Sequence, residues 1–440
     1  MNRRQFLATA AAAAGAGNAA PKLALDGGTP VRQKPLQAGF WGTQYYDDKE
    51  RAQLTEVLET QRPFRWYGPG SEPPKKVITF EKEFAAKMQT KYAVAVTSGT
   101  AALQCALAGL QIGPGDEVIV PAWTWHSCFN TVVLAGALPV IAEIDESFNI
   151  DPGDIERRIT PQTKAIMAVH LQGNPCDMDR ILAVARKHGI RVLEDCAQSV
   201  GGSYKGKPLG SIGDIGIYSL QLNKTITAGE GGAVVSSDPE LFERTARFHD
   251  LGALRPVHEQ WLGQARTGWF IGSGYRMNEF SGGVLLAQLR KLDTIVSAVR
   301  AHAKRVYDGI RDLPGIHLRH LPDPEGELGS AVFLGFDTKK QCKHFMDAMR
   351  AENVPAGPPS GSVILPIQPH IEKKITLHPN WPSFTSERGR AIQYGAASCP
   401  RTIDILSRFA GVSLDPKFTR QDTDDIVAAI RKVYPAIMKS

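Results

Sequence analysis

The chain has no pair of cysteines spaced as a metal knuckle or a redox couple. Its six cysteines, Cys105, Cys128, Cys176, Cys196, Cys342 and Cys399, are scattered over the sequence. That excludes a Cys-x-x-Cys zinc site and a disulfide framework, and it fits small buried side chains. Basic residues are not clustered either. A net charge of +6 on 440 residues, with no basic tract, argues against nucleic acid as the main partner. Beyond the first twenty residues no apolar run is long enough to span a bilayer. There are no internal repeats. What remains, 42% apolar and 22% charged residues, is the composition of a globular protein long enough for two domains.

The first twenty residues stand apart. Met1-Asn2-Arg3-Arg4-Gln5-Phe6-Leu7 pairs two arginines with an apolar step, and small residues, mostly alanine, run from Ala8 to Ala20. This is the pattern of a twin-arginine export leader with cleavage near Ala19 or Ala20. It predicts a periplasmic or exported protein. An ordinary alanine-rich helix on a cytoplasmic protein fits the same residues. Gly15 to Ala20 spells a GxGxxA pattern, but no strand precedes it and it is discarded as a nucleotide fingerprint.

Residues 25–75 are punctuated by proline and glycine, with one helix over 48–60. The loop Phe64-Arg65-Trp66-Tyr67-Gly68-Pro69-Gly70 either rims a pocket or caps a core. From Phe80 the pattern becomes regular. Strands are predicted at 92–96, 117–120, 138–144, 165–169 and 191–194. Helices are predicted at 80–88, from the turn at 97–103 to about 110, and at 128–135, 151–158 and 177–188. This alternation predicts an α/β domain with a mostly parallel sheet and helices on both faces. Ligands then sit at the carboxyl ends of the strands. One long helix is expected over 280–311. A smaller α+β domain follows, with strands at 316–321 and 331–336 and helices at 340–352 and 422–434. The expected division is a leader at 1–20, a large domain at 21–300 with an N-terminal extension, and a small C-terminal domain at 301–440. Gly201 to Pro208 almost spells a phosphate-binding P-loop, but Pro208 stands where a magnesium-binding hydroxyl and a helix start are required. A turn is the better reading.

Three features fall at strand ends. Thr124-Trp125-His126 follows one strand, Glu194-Asp195-Cys196-Ala197-Gln198 ends another, and Ser219 to Lys224 ends a third. A carboxylate such as Asp195, at the end of an apolar strand, needs a cationic partner. A pyridinium nitrogen would serve. Lys224, between an apolar run and the glycine-rich Gly229 to Gly232, can lose solvent and attack an aldehyde. Trp125 could stack on a flat ring. Gly99 and Thr100 open a helix, whose free amides suit a phosphate, and Ser219 adds a hydroxyl. Each has a plainer reading: a hairpin lysine, a helix cap at Asp195 or Ser98, a core tryptophan, a strand hydroxyl. Taken together, aldehyde, pyridine nitrogen, planar ring and phosphate describe pyridoxal phosphate. No metal site is expected.

The stretches SGTAAL from Ser98, VHLQGNPCDMD from Val169, EDCAQSVGG from Glu194, GDIGIYSLQLNKTITAGEGG from Gly213 and YRMNEF from Tyr275 resemble the DegT/StrS family of pyridoxal-phosphate sugar aminotransferases. The LALDGGTPVR opening and the FRWYGPG loop are most similar to its glutamine:keto-inositol branch. The resemblance implies an aspartate-aminotransferase-like fold (fold type I of the pyridoxal-phosphate enzymes), a homodimer and active sites shared between subunits. It implies a Schiff base and proton shuttle at Lys224, and a pyridine-nitrogen partner in Asp195. Gln198 would lie near the ring hydroxyl, Trp125 on the ring, and Ser219 with Gly99 and Thr100 at the phosphate. The reaction it implies moves an amino group from glutamine or glutamate to a keto-sugar or keto-cyclitol. Two positions depart from the family pattern. Gly274 stands where an asparagine usually offers the partner subunit a phosphate contact, and Leu220 replaces a common phenylalanine. A dehydratase relative is a second reading, although such relatives place histidine at Lys224. An exported sugar-binding or sensor protein with little turnover is a third, favoured by Gly274 and the leader.

Overall fold

Seven strands, buried along nearly all their length, make the central sheet of the computed structural model, which describes residues 22–439. In chain order they are β1 (Tyr92–Val96), β2 (Glu117–Pro121), β3 (Leu138–Ala142), β4 (Thr163–Val169), β5 (Arg191–Asp195), β6 (Ile215–Ser219) and β7 (Gly232–Ser236). Their order across the sheet is β1-β7-β6-β5-β4-β2-β3. The five strands from β6 to β3 are parallel, and β7 runs antiparallel between β6 and β1. Valine, isoleucine and alanine on both strand faces demand cover on both sides. Helices α1 (Asp48–Thr60), α2 (Lys76–Lys87), α3 (Gly99–Gly109), α4 (His126–Leu134), α5 (Pro152–Arg158), α6 (Met178–His188) and α7 (Pro239–Phe248) belong to this α/β layer. The expected strands and helices up to residue 195 all form, with ends that shift by a few residues.

The helix expected over 280–311 is two helices, α8 (Glu279–Leu289) and α9 (Leu292–Ile310). The break falls at Lys291, whose ammonium turns inward to the Glu50 carboxylate (2.7 and 2.8 Å) and to Tyr45 O (2.6 Å). α8 is buried almost all round between α1 and α2, whereas α9 is amphipathic. The strand expected over 316–321 is reduced to one bridge, Leu318 to Leu334. Arg319 at its centre turns inward to pair with Glu327, which replaces a ladder with a side-chain tie.

Strands β8 (Ala331–Gly335) and β9 (Phe409–Ser413) pair antiparallel, with α10 (Lys339–Ala351) and α11 (Arg420–Met438) beside them. They enclose a second core that includes Val332, Phe345, Ile430 and Tyr434, joined by Val299 and Val306 of α9. Packing divides the chain differently from a cut at residue 300. Leu23 lies in the second core, and the amides of Ala24 and Val31 donate to Glu352 at 2.9 Å each. Conversely Leu365, Ile371, Tyr394 and Cys399 belong to the first core. Tertiary burial, which no local pattern shows, decides both assignments. The leader-like residues 1–20 lie outside the described residues. Among the described residues no helix is long and apolar enough to cross a membrane.

Candidate active site

Asp195 ends β5 on the floor of the site, only 3% exposed. Its Oδ1 accepts from Ala197 N–H at 2.9 Å, and its Oδ2 accepts from the Cys128 thiol at 3.2 Å. Burial pushes this carboxyl above its usual range, against the pull of those two donors and of Lys224. Burial and Asp195 together raise the Cys128 thiol, so it stays protonated and donates. A buried carboxylate with one amide and one weak thiol donor is underserved, and a cation placed against it would be held strongly.

Lys224 lies in the loop that follows the neighbouring strand, near enough for the charge of Asp195 to act on its amine. β6 lies beside β5 with Ile217 opposite Asp195. β6 then continues into a long loop whose base is closed by Leu220 N–H to Gly231 O (2.8 Å) and Leu222 N–H to Gly229 O (3.0 Å). Thr227 Oγ1 donates to Leu220 O (3.0 Å) and accepts from Gly229 N–H (2.8 Å), which stiffens the loop. Inside it, burial lowers the Lys224 pKa, while Asp195 and Cys128 oppose the shift. The amine is therefore biased toward its neutral, nucleophilic form.

A cradle for an anion forms where two helices begin. Ser98 caps α3, its Oγ accepting from Ala101 N–H at 3.1 Å, so the first-turn amides of Gly99 and Thr100 open α3 without intrahelical acceptors. Gly99 backs onto Ser219, since a Cβ there would lie 2.7 Å from the Ser219 Cβ. Only glycine lets the strand-end hydroxyl sit this close to the helix start. Thr100 Oγ1 and Ser127 Oγ, from the first turns of α3 and α4, are 2.7 Å apart. The structure thus brings Gly99, Thr100 and Ser219 together and adds Ser127. Trp125, just before α4, is 53% exposed with its ring edge-on to His126 at 5.4 Å. Gln198 is engaged by protein partners: its Oε1 accepts from Gln172 N–H (3.1 Å) and its Nε2 donates to Gly361 O (3.1 Å) and Ser362 Oγ (2.9 Å).

Sequence reasoning missed Ser127 and Cys128. Both directly follow the Thr124-Trp125-His126 run it had singled out, and a first-turn Ser at a strand-to-helix junction was the only hint. His170, Glu194 and Cys196 lie close together, but their polar atoms serve the fold. His170 Nδ1 accepts from Cys176 N–H, so Nε2 carries the hydrogen and donates to Glu194 (3.1 Å). Glu194 also takes the amides of Gly210, Ile212 and Gly213.

The donor set fits pyridoxal phosphate. The underserved Asp195 suits a protonated ring nitrogen, the desolvated Lys224 suits the aldehyde, and the paired helix starts suit the phosphate. Comparison with known proteins agrees. The chain is 34% identical over 393 residues to the spore coat polysaccharide biosynthesis protein SpsC of Bacillus subtilis, covering 88% of this chain and 94% of that one. It is 36% identical over 336 residues to the L-glutamine:2-deoxy-scyllo-inosose aminotransferase of Streptomyces kanamyceticus, covering 72% and 76%. The crystal structure of 3-amino-5-hydroxybenzoic acid synthase superimposes with a TM-score of 0.72 at 27% identity, over 92% of this chain and 100% of that one. The model of the DegT/DnrJ/EryC1/StrS aminotransferase family matches residues 45–431, across both cores and every residue of the site. The chain belongs to that family and is a pyridoxal-phosphate-dependent aminotransferase.

Proposed function

We propose that the protein transfers the amino group of glutamine or glutamate to the keto group of a sugar or cyclitol. The observation that carries this is the burial of Asp195, at the end of β5, and of Lys224, in the loop after the neighbouring β6, which raises the carboxyl's pKa and lowers the amine's while each charge acts on the other. The names of the two relatives, one in polysaccharide synthesis and one acting on a keto-inositol, support a polyhydroxylated acceptor.

When bound, pyridoxal phosphate supplies the carbonyl that takes up nitrogen and the ring that holds an electron pair. Lys224 Nζ, its pKa lowered by burial, would take the proton from the carbon bearing nitrogen and return it on the other side of the exchange. Asp195 holds the proton of the ring nitrogen in place. Thr100, Ser127 and Ser219, with the first amides of α3, bind the phosphate and fix the ring's distance from Lys224. Trp125, more than half exposed, gives the ring a flat wall. Gln198 would donate to the ring hydroxyl by exchanging one of its present partners. We read the working unit as a homodimer with shared sites, and the paired arginines at Arg3 and Arg4 as an export signal of the twin-arginine type.

The test is the visible absorption of the purified protein with pyridoxal phosphate, before and after L-glutamine or L-glutamate. A yellow band that the donor bleaches, and that a keto-inositol or ketose restores, is the expected result. A band that neither donor bleaches would overturn the proposed reaction.

A further inference from the structure

The two amide hydrogens of Gln198 are both committed, one to Gly361 O and one to Ser362 Oγ. Its Oε1 is fixed as the acceptor, because the partner there is the Gln172 N–H. That N–H is itself aimed by strain. Gln172 sits in the left-handed region at φ 53°, a conformation that a non-glycine residue keeps only when its neighbours enforce it. Ser330 Oγ does so by donating to Gln172 O at 2.9 Å, and Leu171 N–H donates to Asn149 Oδ1 at 2.9 Å. The Gln198 amide cannot flip without breaking this set.

Gly361 and Ser362 belong to a strap that links the two cores. It leaves the small sheet at Gly357, which exchanges hydrogen bonds with Gly411 (2.9 and 2.7 Å). Pro358 and Pro359 stiffen it. Past Gln172 and Gln198 it pairs, as Val363–Ile364, with Thr124 and Trp123, and Leu365 N–H then reaches Ala122 O at 2.8 Å. The strap is thus stitched to the residues just before Trp125. Thr124 in turn touches Cys128 at 3.2 Å, the donor to Asp195. The glutamine between these tethers has two unequal partners. The Gly361 carbonyl belongs to an exposed residue and can take water in exchange. Ser362 is half-buried, and its hydroxyl can keep hold of the amide.

We infer that Ser362 is a positioning residue for Gln198. It keeps the amide oriented, so that the hydrogen now on Gly361 O is the one given to the ring oxygen of pyridoxal phosphate. This rests on the assignment of Gln198 to the ring hydroxyl under the proposed function. No bond to carbon forms or breaks in it. One hydrogen bond is exchanged for another, with water taking the Gly361 carbonyl. The small domain, through the strap, thereby sets a group of the large-domain site.

The experiment is a pH titration of the visible band of the protein loaded with pyridoxal phosphate, with the cofactor Kd read from quenching of tryptophan fluorescence. Four variants are compared with the wild type: Gln198→Ala, Ser362→Ala, Ser362→Thr and the double variant Gln198→Ala/Ser362→Ala. A donor to an ionised ring oxygen lowers its pKa, so losing it raises the midpoint. Gln198→Ala is expected to raise the midpoint by about one pH unit, the equivalent of one hydrogen bond to a charged oxygen. Ser362→Ala raises it by part of that and weakens Kd, Ser362→Thr restores both, and the double variant shifts no further than Gln198→Ala alone. A Ser362→Ala midpoint equal to wild type, with Gln198→Ala shifted, overturns the positioning role and leaves the Gln198 assignment standing. So does an additive shift in the double variant. An unshifted Gln198→Ala removes Gln198 from the ring, and the inference falls with it. The melting temperature of each apo variant separates these outcomes from loss of fold.

Discussion

Arg65 donates to Glu81 at 2.7 Å with both side chains fully buried, and the pair grips the edge strand β1 at one residue. Glu81 Oε1 also accepts from Ala95 N–H (2.7 Å), and Arg65 Nη1 donates to Ala95 O (3.1 Å). Two residues further, Thr97 N–H donates to Tyr275 O at 3.0 Å, and the phosphate turn begins. The Phe64–Gly70 loop thus caps a core through Arg65 while leaving Tyr67 exposed. Removing one partner strands a buried charge, so Glu81→Gln should cost about 3–5 kcal/mol of stability. Urea unfolding of the apo protein measures it. A loss below about 1 kcal/mol would mean that the pair is solvated in solution.

The same cluster sets an acid limit. His249 Nε2 faces Arg65 Nη1 at 3.2 Å and must accept from it, so Nδ1 carries the hydrogen. Burial, then the charge of Arg65, lowers the His249 pKa from 6.5 to about 3. The unfolded chain therefore binds a proton below pH 6.5 that the folded one refuses, and stability falls as pH drops from 6.5 toward 3. Glu81 adds to this lower down. Burial would raise it, but Arg65 and then His258 outweigh burial and bring it from 4.5 to about 2. Its contribution is present above pH 4.5 and is lost between 4.5 and about 2. The melting temperature should fall steadily from pH 6.5 to 4.5, and His249→Gln should flatten that slope. A wild-type profile level across this range would contradict the buried neutral histidine.

At the reacting end, Lys224→Ala should lower transamination by about a hundred- to ten-thousandfold, the usual worth of a positioned proton carrier. It should also abolish borohydride capture of the cofactor. Asp195→Asn keeps the shape beside Cys128 and Ala197 but removes the charge. Cofactor retention should persist while single-turnover amination slows by orders of magnitude. An Asp195→Asn enzyme with wild-type rate would take that carboxylate out of the mechanism.

The sequence carried this site unevenly. Strand ends were legible because buried parallel strands are short apolar runs closed by turn residues, so Asp195 and Lys224 could be placed before any coordinates. The helix start at Gly99 was legible for the same reason. Ser127 was not, because its value lies in standing 2.7 Å from Thr100 on another helix. The strap was hidden as well. Its two-residue pairing with Trp123 and Thr124 is too short for any periodicity, and Gln198 could not reveal that Ser362 would hold it. The long helix over 280–311 was misjudged because the inward turn of Lys291 depends on Glu50, far away in the chain.

Ser127 offers a clean check of the cradle. Ser127→Ala removes one hydroxyl and leaves Thr100 without that partner. One ordinary hydrogen bond is worth about 0.5–1.5 kcal/mol, so the Kd for pyridoxal phosphate should rise by about two- to tenfold. Pyridoxal, which lacks the phosphate, should bind equally to both proteins. Equal weakening of pyridoxal would show that Ser127 acts through the fold and not through the phosphate.

Gly274 is one of the two positions that the sequence resemblance marks as departures, and its surroundings have room for the asparagine expected there. The residue is exposed, and a Cβ there meets nothing closer than Arg276 Nη2 and Leu251 Cδ2 at 4.0 Å. Its backbone is fixed by a bridge to Asp250, whose carboxylate holds Arg276 (2.5 Å) and Arg255. Gly274→Asn should therefore change stability by no more than about 0.5 kcal/mol, as expected for an exposed site. If two subunits share each site, the new amide should reach the partner's phosphate. A bond to a charged group is worth about 1.5–3 kcal/mol, and cofactor affinity would rise by about tenfold or more. That gain should vanish in dilute protein, where a dimer dissociates. An affinity gain unchanged by dilution would place the asparagine in its own subunit's site. No gain at any concentration, in a protein that sediments as a dimer, would mean that Gly274 does not face the partner's phosphate.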